Sequence, residues 1–236
     1  MEIFALRELV MDVLEAISGN RVNYAMNCIG GVNRDITDPA SILVAVRQIR
    51  QGLEKVVIPS FTTDRTVKAR TAGVGTLTRA DALAYGAVGP TARASGVAMD
   101  LRNDLPYAAY GEIGVKTIVQ TAGDVRARVV VRALEMLDSV EMIEKALKML
   151  PAGPLLAGSR IPAIPAGEAT ARAEAPRGEV IYYIASDGSD VPQRVKIRTP
   201  TFMNMPSVRA MSVGQQLADM PLIQASIDPC YSCTDR

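Results

Sequence analysis

Apolar residues recur every three or four positions over several stretches of the chain, which indicates a mainly helical protein. Residues 3–17 form the first stretch. Asp38 followed by Pro39 is typical of a helix start, because aspartate can cap the first turn and proline is tolerated at the first helical position. A second helix is therefore predicted from this point up to Pro59. A further stretch of helical spacing covers residues 63–72.

The longest helical pattern begins at Asp124 and continues to about Leu150, where Pro151 ends it. Its apolar stripe consists of Val125, Val129, Ala133, Leu137, Val140, Ile143 and Leu147. The charged residues fall on the other face. Arg126, Arg128 and Arg132 there could contact a partner, but a solvated face is the more common arrangement and is the one predicted. Glycines and prolines interrupt residues 73–106, which predicts short helices joined by loops.

The spacing of the apolar residues changes in the last third of the chain. Residues 151–176 are rich in proline, glycine and alanine and are predicted to form a long loop. Residues 179–184 and 193–198 alternate with a period of two, which predicts a β-hairpin. A last helix is predicted from Pro206 or Ser207 to about Leu217. Together these patterns predict a mainly α (α+β) fold with a small antiparallel sheet near the C-terminus, in a single domain over residues 1–236.

Composition narrows the classes of function. The chain is 48% apolar and 22% charged with a net charge of +1, which gives no reason to expect a nucleic-acid partner. It contains no histidine, so serine–histidine and cysteine–histidine catalysis are excluded. Its 3 cysteines are too few for a disulfide scaffold and favour a reducing compartment. No apolar run approaches the roughly 20 residues of a membrane span, so any work at a membrane is expected to depend on partners.

The cysteine tail, residues 228–236, carries the candidate chemistry. Cys230 and Cys233 lie three positions apart, a spacing at which two thiolates can chelate one metal ion or bridge two. A tetrahedral metal site usually has four protein ligands, so two thiolates supply only half of them. A structural zinc site would need Cys28 or carboxylates as further ligands, a redox dithiol would need a following helix, and two unligated thiols are a third alternative. Cys28 itself is interpreted as a small buried apolar residue.

The cysteine tail reads Asp-Pro-Cys-Tyr-Ser-Cys-Thr-Asp-Arg. This sequence resembles the second cysteine motif of the large subunit of [NiFe] hydrogenases, in the energy-converting, membrane-bound branch related to the 49 kDa subunit of respiratory complex I. The resemblance covers essentially the whole chain in the family's order. Other segments that resemble the family are residues 7–12, 30–36, 89–97, 124–128, 174–179 and 194–202.

The resemblance implies the helical-bundle core of this subunit type and the reversible reduction of protons to H2, coupled to ferredoxin and to ion translocation across the membrane. It implies that Cys230 is a terminal nickel ligand and that Cys233 bridges nickel to an iron carrying CO and cyanide. Arg177 and Asp228 match residues that orient and polarise this site, a fixed guanidinium held by a carboxylate. The expected partners are a small [4Fe–4S] subunit, membrane ion-translocating subunits and ferredoxin, on the inner, cytoplasmic face of the cell membrane.

The family's first cysteine motif and N-terminal region have no counterpart in this sequence, so the chain supplies only half of the expected cysteine ligands. A C-terminal fragment, a separate polypeptide that supplies the other motif, or loss of the metal would each explain this. The alternative function is therefore a nickel-free, complex-I-like scaffold subunit that binds quinone or another substrate beside an Fe–S subunit. Retention of Cys230 and Cys233 favours descent from a metal-binding protein.

Overall fold

The computed structural model describes residues 2–158 and 164–235 of the protein. It is mainly helical, as predicted, and the long helix α9 packs against α2, α3, α6 and α11. The helices are α1 (Glu2–Ser18), α2 (Pro39–Gly52), α3 (Ile58–Thr62), α4 (Arg65–Thr71), α5 (Arg79–Ala84), α6 (Gly89–Arg93), α7 (Leu101–Asp104), α8 (Tyr110–Ile113), α9 (Val125–Met149), α10 (Pro200–Ser212), α11 (Met220–Ser226) and α12 (Tyr231–Thr234). None of the helices in these ranges combines the length and apolarity that a bilayer crossing requires.

The two larger of the three apolar clusters among the described residues hold most of the helices together. One lies between α1, α2 and α9, and its buried members are Ile42, Val46, Leu53, Val57 and Val140. The other lies between the start of α9, α10 and α11, and its buried members are Leu77, Ala82, Ala87, Ala92, Val125, Met211, Ile223 and Ile227. The second cluster lies under the segments that carry the predicted site residues, so it determines where those segments sit.

The helix that begins after Asp38 does not end at Pro59 as predicted. The side chain of Asp38 accepts from the Ser41 N–H at 3.0 Å and caps α2. A π-helical turn, Leu53–Val57, then leads directly into α3, and Ile58 N–H donates to the Leu53 carbonyl. Because proline lacks an N–H and crowds the preceding turn, the wider π turn lets the helix continue through it.

The long helix α9 is confirmed, but its charged face is not solvated. Asp124 caps it by accepting from Ala127 N–H at 2.7 Å. Arg128 is fully buried, with no exposed area, and the side chain of Arg132 is half-buried. Both arginines were predicted to face solvent because they fall opposite the apolar stripe. That prediction was wrong because α6, α11 and the loops before them cover this side of the helix as well.

Arg128 joins three segments that are distant in sequence. Its Nη2 donates to the Gly75 carbonyl at 2.9 Å, its Nη1 donates to the Gly123 carbonyl at 2.7 Å, and its Nε donates to Ser226 Oγ at 2.8 Å. A buried guanidinium must have its donors satisfied, and here two loop carbonyls and the end of α11 do so. The guanidinium therefore positions the last turn of α11, which immediately precedes the cysteine tail.

Arg93 forms a second buried ionic centre at the end of α6. Its Nε donates to Glu135 Oε1 of α9 at 2.7 Å, and its Nη1 donates to Glu174 Oε1 at 2.9 Å and to the Met99 carbonyl at 2.9 Å. The neighbouring Asp100 is paired with Arg102. Burial raises the pKa of Glu174 despite the opposing effect of Arg93. This centre connects helices α6 and α9 to the strand that carries Glu174.

The sheet has one strand more than predicted. Strands β1 (Asn27–Cys28) and β2 (Gly31–Val32) form a small hairpin, and β3 (Gly167–Ala175), β4 (Gly178–Ser186) and β5 (Arg194–Arg198) form an antiparallel sheet in the order β3-β4-β5. The β4–β5 hairpin is confirmed. The prediction that residues 151–176 form a loop was wrong for residues 167–175, which form β3. Residues 159–163 of that stretch lie outside the described residues. The alanines of β3 have weak strand preference, so the strand depends on its pairing with β4, in which Ala175 faces Gly178.

Helix α10 also begins earlier than predicted. It starts at Pro200, where proline occupies the first helical turn, and Pro206 lies inside the helix rather than at its start. A 3-10 turn, Leu217–Asp219, and then α11 follow before the cysteine tail. The early start matters because the first turn of α10 contacts the backbone of the cysteine tail.

The burial of Arg128 leads to a prediction about stability. Replacing Arg128 with Met should lower the free energy of unfolding by roughly 3–5 kcal/mol, because two buried carbonyls and a hydroxyl lose their donors. Arg47 is exposed on α2, so Arg47→Met is the matched control and should change stability little. Urea unfolding followed by circular dichroism measures both variants. Equal effects of the two substitutions would show that the buried guanidinium does not contribute to stability in this way.

Candidate metal-binding site

The two cysteines of the tail lie on a single helical turn. Cys230 immediately precedes α12, and Cys233 lies within it; both are half-buried. Cys233 N–H donates to the Cys230 carbonyl at 3.1 Å, and Thr234 Oγ1 donates to the same carbonyl at 3.1 Å. A redox dithiol of the kind that depends on a long following helix is not favoured, because this helix is only 4 residues long.

The two thiols differ in their tendency to ionise. The Ser232 hydroxyl, 3.0 Å from Cys230 Sγ, and then the Cys233 thiol lower the pKa of Cys230 to about 7. Burial, followed by the interaction with Cys230, raises the pKa of Cys233. Around pH 7 about half of the Cys230 thiol is therefore ionised while Cys233 keeps its proton, so Cys230 is the readier nucleophile and metal ligand.

Two threonines at the start of α10 fix the backbone of the cysteine tail. Thr199 Oγ1 donates to the Cys233 carbonyl, and Thr201 Oγ1 accepts from the Cys230 N–H at 3.2 Å. Both threonines are buried, Thr201 completely. The spacing of the two cysteines is thus held by side chains from a different element, and the sequence patterns that predicted the site did not reveal these two residues.

Arg177 and Asp228 form the ion pair that the sequence analysis expected to find near the thiols. Arg177 lies in the β3–β4 turn. Its Nε donates to the Asp228 carbonyl at 2.5 Å and lies 3.1 Å from Asp228 Oδ2, and its Nη2 donates to Asp228 Oδ1 at 3.2 Å. The positive charge of Arg177 favours the thiolate form of Cys230 and of Cys233. The structure therefore brings all four predicted site residues together in one region.

The position of Arg177 depends on two glycines that the sequence analysis did not single out. Gly89, at φ +63, and Gly178, at φ +129, lie so close that a Cβ on Gly89 would approach the Arg177 carbonyl oxygen to 2.4 Å. Buried Asn204 of α10 completes this contact: its Oδ1 accepts from Val88 N–H at 2.9 Å, and its Nδ2 donates to the Val88 carbonyl at 3.2 Å. In the sequence the segments around the two glycines, residues 89–97 and 174–179, were marked only by their resemblance to the family.

The residues present fit half of a thiolate metal site. The part of the chain that the structure describes contains no group of three or more histidine, cysteine, aspartate or glutamate side chains placed to hold a metal ion. Cys28 does not join the other two thiols. It lies half-buried in β1 and not fully buried as predicted, because that two-residue strand belongs to a small surface hairpin. Cys230 and Cys233 can offer two thiolates to one metal ion, and further ligands must come from elsewhere.

The chain is similar in sequence to proteins of one family and to hydrogenases related to it. The chain matches the family described as the respiratory-chain NADH dehydrogenase 49 kDa subunit over residues 1–162 and 158–236. It is 42% identical to the carbon monoxide-induced hydrogenase of Rhodospirillum rubrum, covering 100% of this chain and 66% of the relative. It is 40% identical to the membrane-bound hydrogenase subunit alpha of Pyrococcus furiosus, covering 98% of this chain and 58% of the relative.

A solved structure with the same fold belongs to the membrane-bound sulfane sulfur reductase, an archaeal respiratory membrane complex. The similarity has a TM-score of 0.91 at 34% identity and covers 98% of this chain and 65% of that one. The chain thus spans less than two thirds of the length of these relatives, between 58% and 66%. The similarity in structure extends over nearly all of this chain.

The unequal thiols lead to a prediction for the metal-free protein. The rate at which Cys230 is alkylated by iodoacetamide should rise with pH around a midpoint of about 7. Ser232→Ala removes the hydroxyl that stabilises the thiolate, so the midpoint should move to higher pH and the rate at pH 7 should fall. Mass spectrometry of the modified peptide follows each site, in a Cys28→Ser background that removes the third thiol.

A Ser189→Ala variant, in the exposed turn before β5, is the control for loss of a serine hydroxyl and should leave the Cys230 midpoint unchanged. If Cys230 and Cys233 were alkylated with the same midpoint in the parent and in Ser232→Ala, the proposed difference between the two thiols would be refuted.

Proposed function

Because the chain belongs to the family of the 49 kDa subunit of respiratory-chain NADH dehydrogenases, we propose that it forms the catalytic part of the large subunit of an energy-converting [NiFe] hydrogenase. The observation that carries this proposal is the pair Cys230 and Cys233 on one helical turn, beside the guanidinium of Arg177. The two relatives named as hydrogenases share 42% and 40% of their residues with this chain, against 34% for the sulfane sulfur reductase, which supports the same assignment.

In this proposal Cys230 and Cys233 would hold a nickel–iron centre through their two thiolates. Cys230 suits the role of first ligand because its pKa of about 7 makes the thiolate available at neutral pH. The remaining two thiolates come from outside the described residues, for example from a separate polypeptide that carries the family's first cysteine motif. When bound, such a centre supplies the interconversion 2H⁺ + 2e⁻ ⇌ H2.

The residues of this chain orient and polarise the site. Two nitrogens of the Arg177 guanidinium are fixed by Asp228, so its positive charge has a defined position. A fixed positive charge beside the thiolates stabilises negative charge there and attracts electron density from a small bound ligand. Asp228 is the positioning residue, and the buried threonines of α10 keep the thiols at their spacing.

The proposal includes partners. A small subunit with a [4Fe–4S] cluster would bring electrons to the site, with ferredoxin as the electron carrier, and membrane subunits would translocate ions. The naming of relatives as a membrane-bound hydrogenase and as part of a respiratory membrane complex supports this arrangement. The chain would then lie on the inner, cytoplasmic face of the membrane, held peripherally by those subunits.

A second function, a nickel-free scaffold subunit of a complex-I-like oxidoreductase, is favoured by a different observation. The solved structure at a TM-score of 0.91 belongs to a sulfane sulfur reductase, and the matched family is described by its NADH dehydrogenase member. In this case the same fold would contact an Fe–S subunit and line a cavity for quinone or another substrate. The cysteine pair would then be a remnant of a metal-binding ancestor.

Metal content separates the two functions. The protein purified with its native partners should contain about one nickel per chain if two thiolates of this tail complete a four-thiolate site. Cys230→Ser and Cys233→Ser should each abolish nickel binding and H2 evolution, whereas Cys28→Ser should retain both. Elemental analysis and a gas-phase H2 assay provide the measurements. Protein without nickel, with all iron accounted for by iron–sulfur clusters, would rule out the hydrogenase proposal and favour the scaffold.

Arg177 offers a second test of the same proposal. Arg177→Lys keeps the charge but cannot make the two-nitrogen contact with Asp228, so H2 evolution should fall by about 10-fold or more while nickel content stays unchanged. Arg172→Lys, in exposed β3 where the arginine pairs with Glu179, is the matched control. Equal activity of the Arg177→Lys protein and the parent would remove this arginine from the mechanism.

A further inference from the structure

An apolar groove lies between α1 and α9, with α2 and the π-helical turn that follows it as the floor. Both α1 and α9 pack against α2, and the groove has a volume of about 740 Å³. Ile42, Val46 and Leu53 line its floor and belong to the first apolar cluster. Arg7 is the one charged residue among the described residues that line it. An apolar groove is poorly hydrated, so filling it with an apolar partner is favourable.

Each wall of the groove carries a row of apolar residues seven positions apart. Along α9 and at its C-terminal end the row is Met136, Ile143 and Leu150, which are 40%, 43% and 43% exposed. On α1 the row is Ile3 and Val10, which are 41% and 38% exposed. Residues seven apart lie nearly in line on an α-helix, because seven residues make about two turns. Such rows are the surface on which a neighbouring helix packs in helical bundles.

The two walls also agree in length. Residues 3–17 and residues 136–150 line the groove from end to end and each span about 21 Å, which is the length of roughly four helical turns. Between the large side chains of α9 lie Ser139 and Ala146, again seven apart. Their small side chains leave room for a helix backbone to come close to α9. The groove therefore has the dimensions of one α-helix.

The relatives contain sequence that could provide such a helix. This chain covers 66% of the Rhodospirillum rubrum relative, 58% of the Pyrococcus furiosus relative and 65% of the matched chain of the sulfane sulfur reductase. About a third or more of each relative therefore has no counterpart in the 236 residues of this chain. In each relative that part belongs to the same polypeptide as the shared fold, so it is a direct source of a segment that covers the groove.

We propose that the groove binds one amphipathic α-helix of about four turns, supplied by the region that the relatives have and this chain lacks. The buried face of this helix carries aliphatic residues at heptad spacing. An acidic residue on it complements Arg7, whose contact with Glu8 is long, at 3.9 Å, and exposed. This inference rests on membership of the family and not on nickel binding, so it applies equally to a hydrogenase and to a nickel-free scaffold.

Photocrosslinking from both walls tests the occupant. One variant carries p-benzoylphenylalanine in place of Val10 on α1, another carries it in place of Ile143 on α9, and a control carries it in place of Val44, which is exposed on α2 outside the groove. Each protein is purified with its native partners and irradiated, and the linked peptides are identified by mass spectrometry. Both wall positions should link to the same peptide, which should come from outside this sequence and have apolar residues every three or four positions. The Val44 position should not link to it.

A charge placed in the groove provides a second test. Ile143→Glu would put a carboxylate where the bound helix removes water, so the yield of assembled complex should fall by at least about 10-fold. Val44→Glu introduces the same charge at an exposed position of α2 and should assemble like the parent. The crosslinking variants keep the proposal testable even if Ile143→Glu does not fold.

Several results would overturn the proposal. Crosslinks to a second copy of this chain would show a dimer interface, and crosslinks to lipid would show a lipid site. Crosslinks from Val10 and Ile143 to two unrelated peptides, or no crosslink from either, would show that no single helix lies in the groove. Undiminished assembly of Ile143→Glu, or equal loss of assembly in Val44→Glu, would contradict it as well.

Discussion

Two buried guanidinium groups determine where both halves of the candidate site lie. Arg93 engages Glu174, three residues before Arg177, and so fixes the strand that leads to the β3–β4 turn. Arg128 engages Ser226, two residues before Asp228, and so fixes the chain that leads into the cysteine tail. The exposed fraction of each arginine is 1% or less. Since a buried guanidinium tolerates little loss of its partners, the two segments that meet at the site have little freedom to move apart.

Close packing of the backbone then determines how near these two segments can come to each other. Gly89 and Gly178 are in backbone conformations that other residues rarely adopt, and no Cβ fits between them. Asn204 bonds both to the Val88 peptide beside this contact and, at 3.5 Å, to the Arg177 carbonyl. Helix α10 therefore positions Arg177 through Asn204 and the thiols through its first-turn threonines. The guanidinium and the thiols are thus held by the same helix, although they lie on different segments of the chain.

Much of the helical fold could be predicted from the sequence because apolar periodicity and helix caps are local signals. Helix α9 and its cap Asp124 are an example, and the cysteine pair was evident from spacing alone. What could not be predicted depends on contacts between distant segments. Strand β3 consists largely of alanine and polar residues and exists through its pairing with β4, and Arg128 is buried because distant loops cover it. Thr201 and Asn204 show no motif, since their roles come only from what packs against α10.

The electrostatics of the cysteine tail explain why its two thiols are unequal. If both thiols ionised, two negative charges on one helical turn would repel each other, and Asp228 would add a third nearby. Arg177 supplies a single compensating positive charge, which Asp228 already shares. One thiol therefore keeps its proton, and burial selects Cys233 as the one that does. Ionisation of both thiols at neutral pH requires a further positive charge close to their sulfur atoms, which is the condition that a bound cation fulfils.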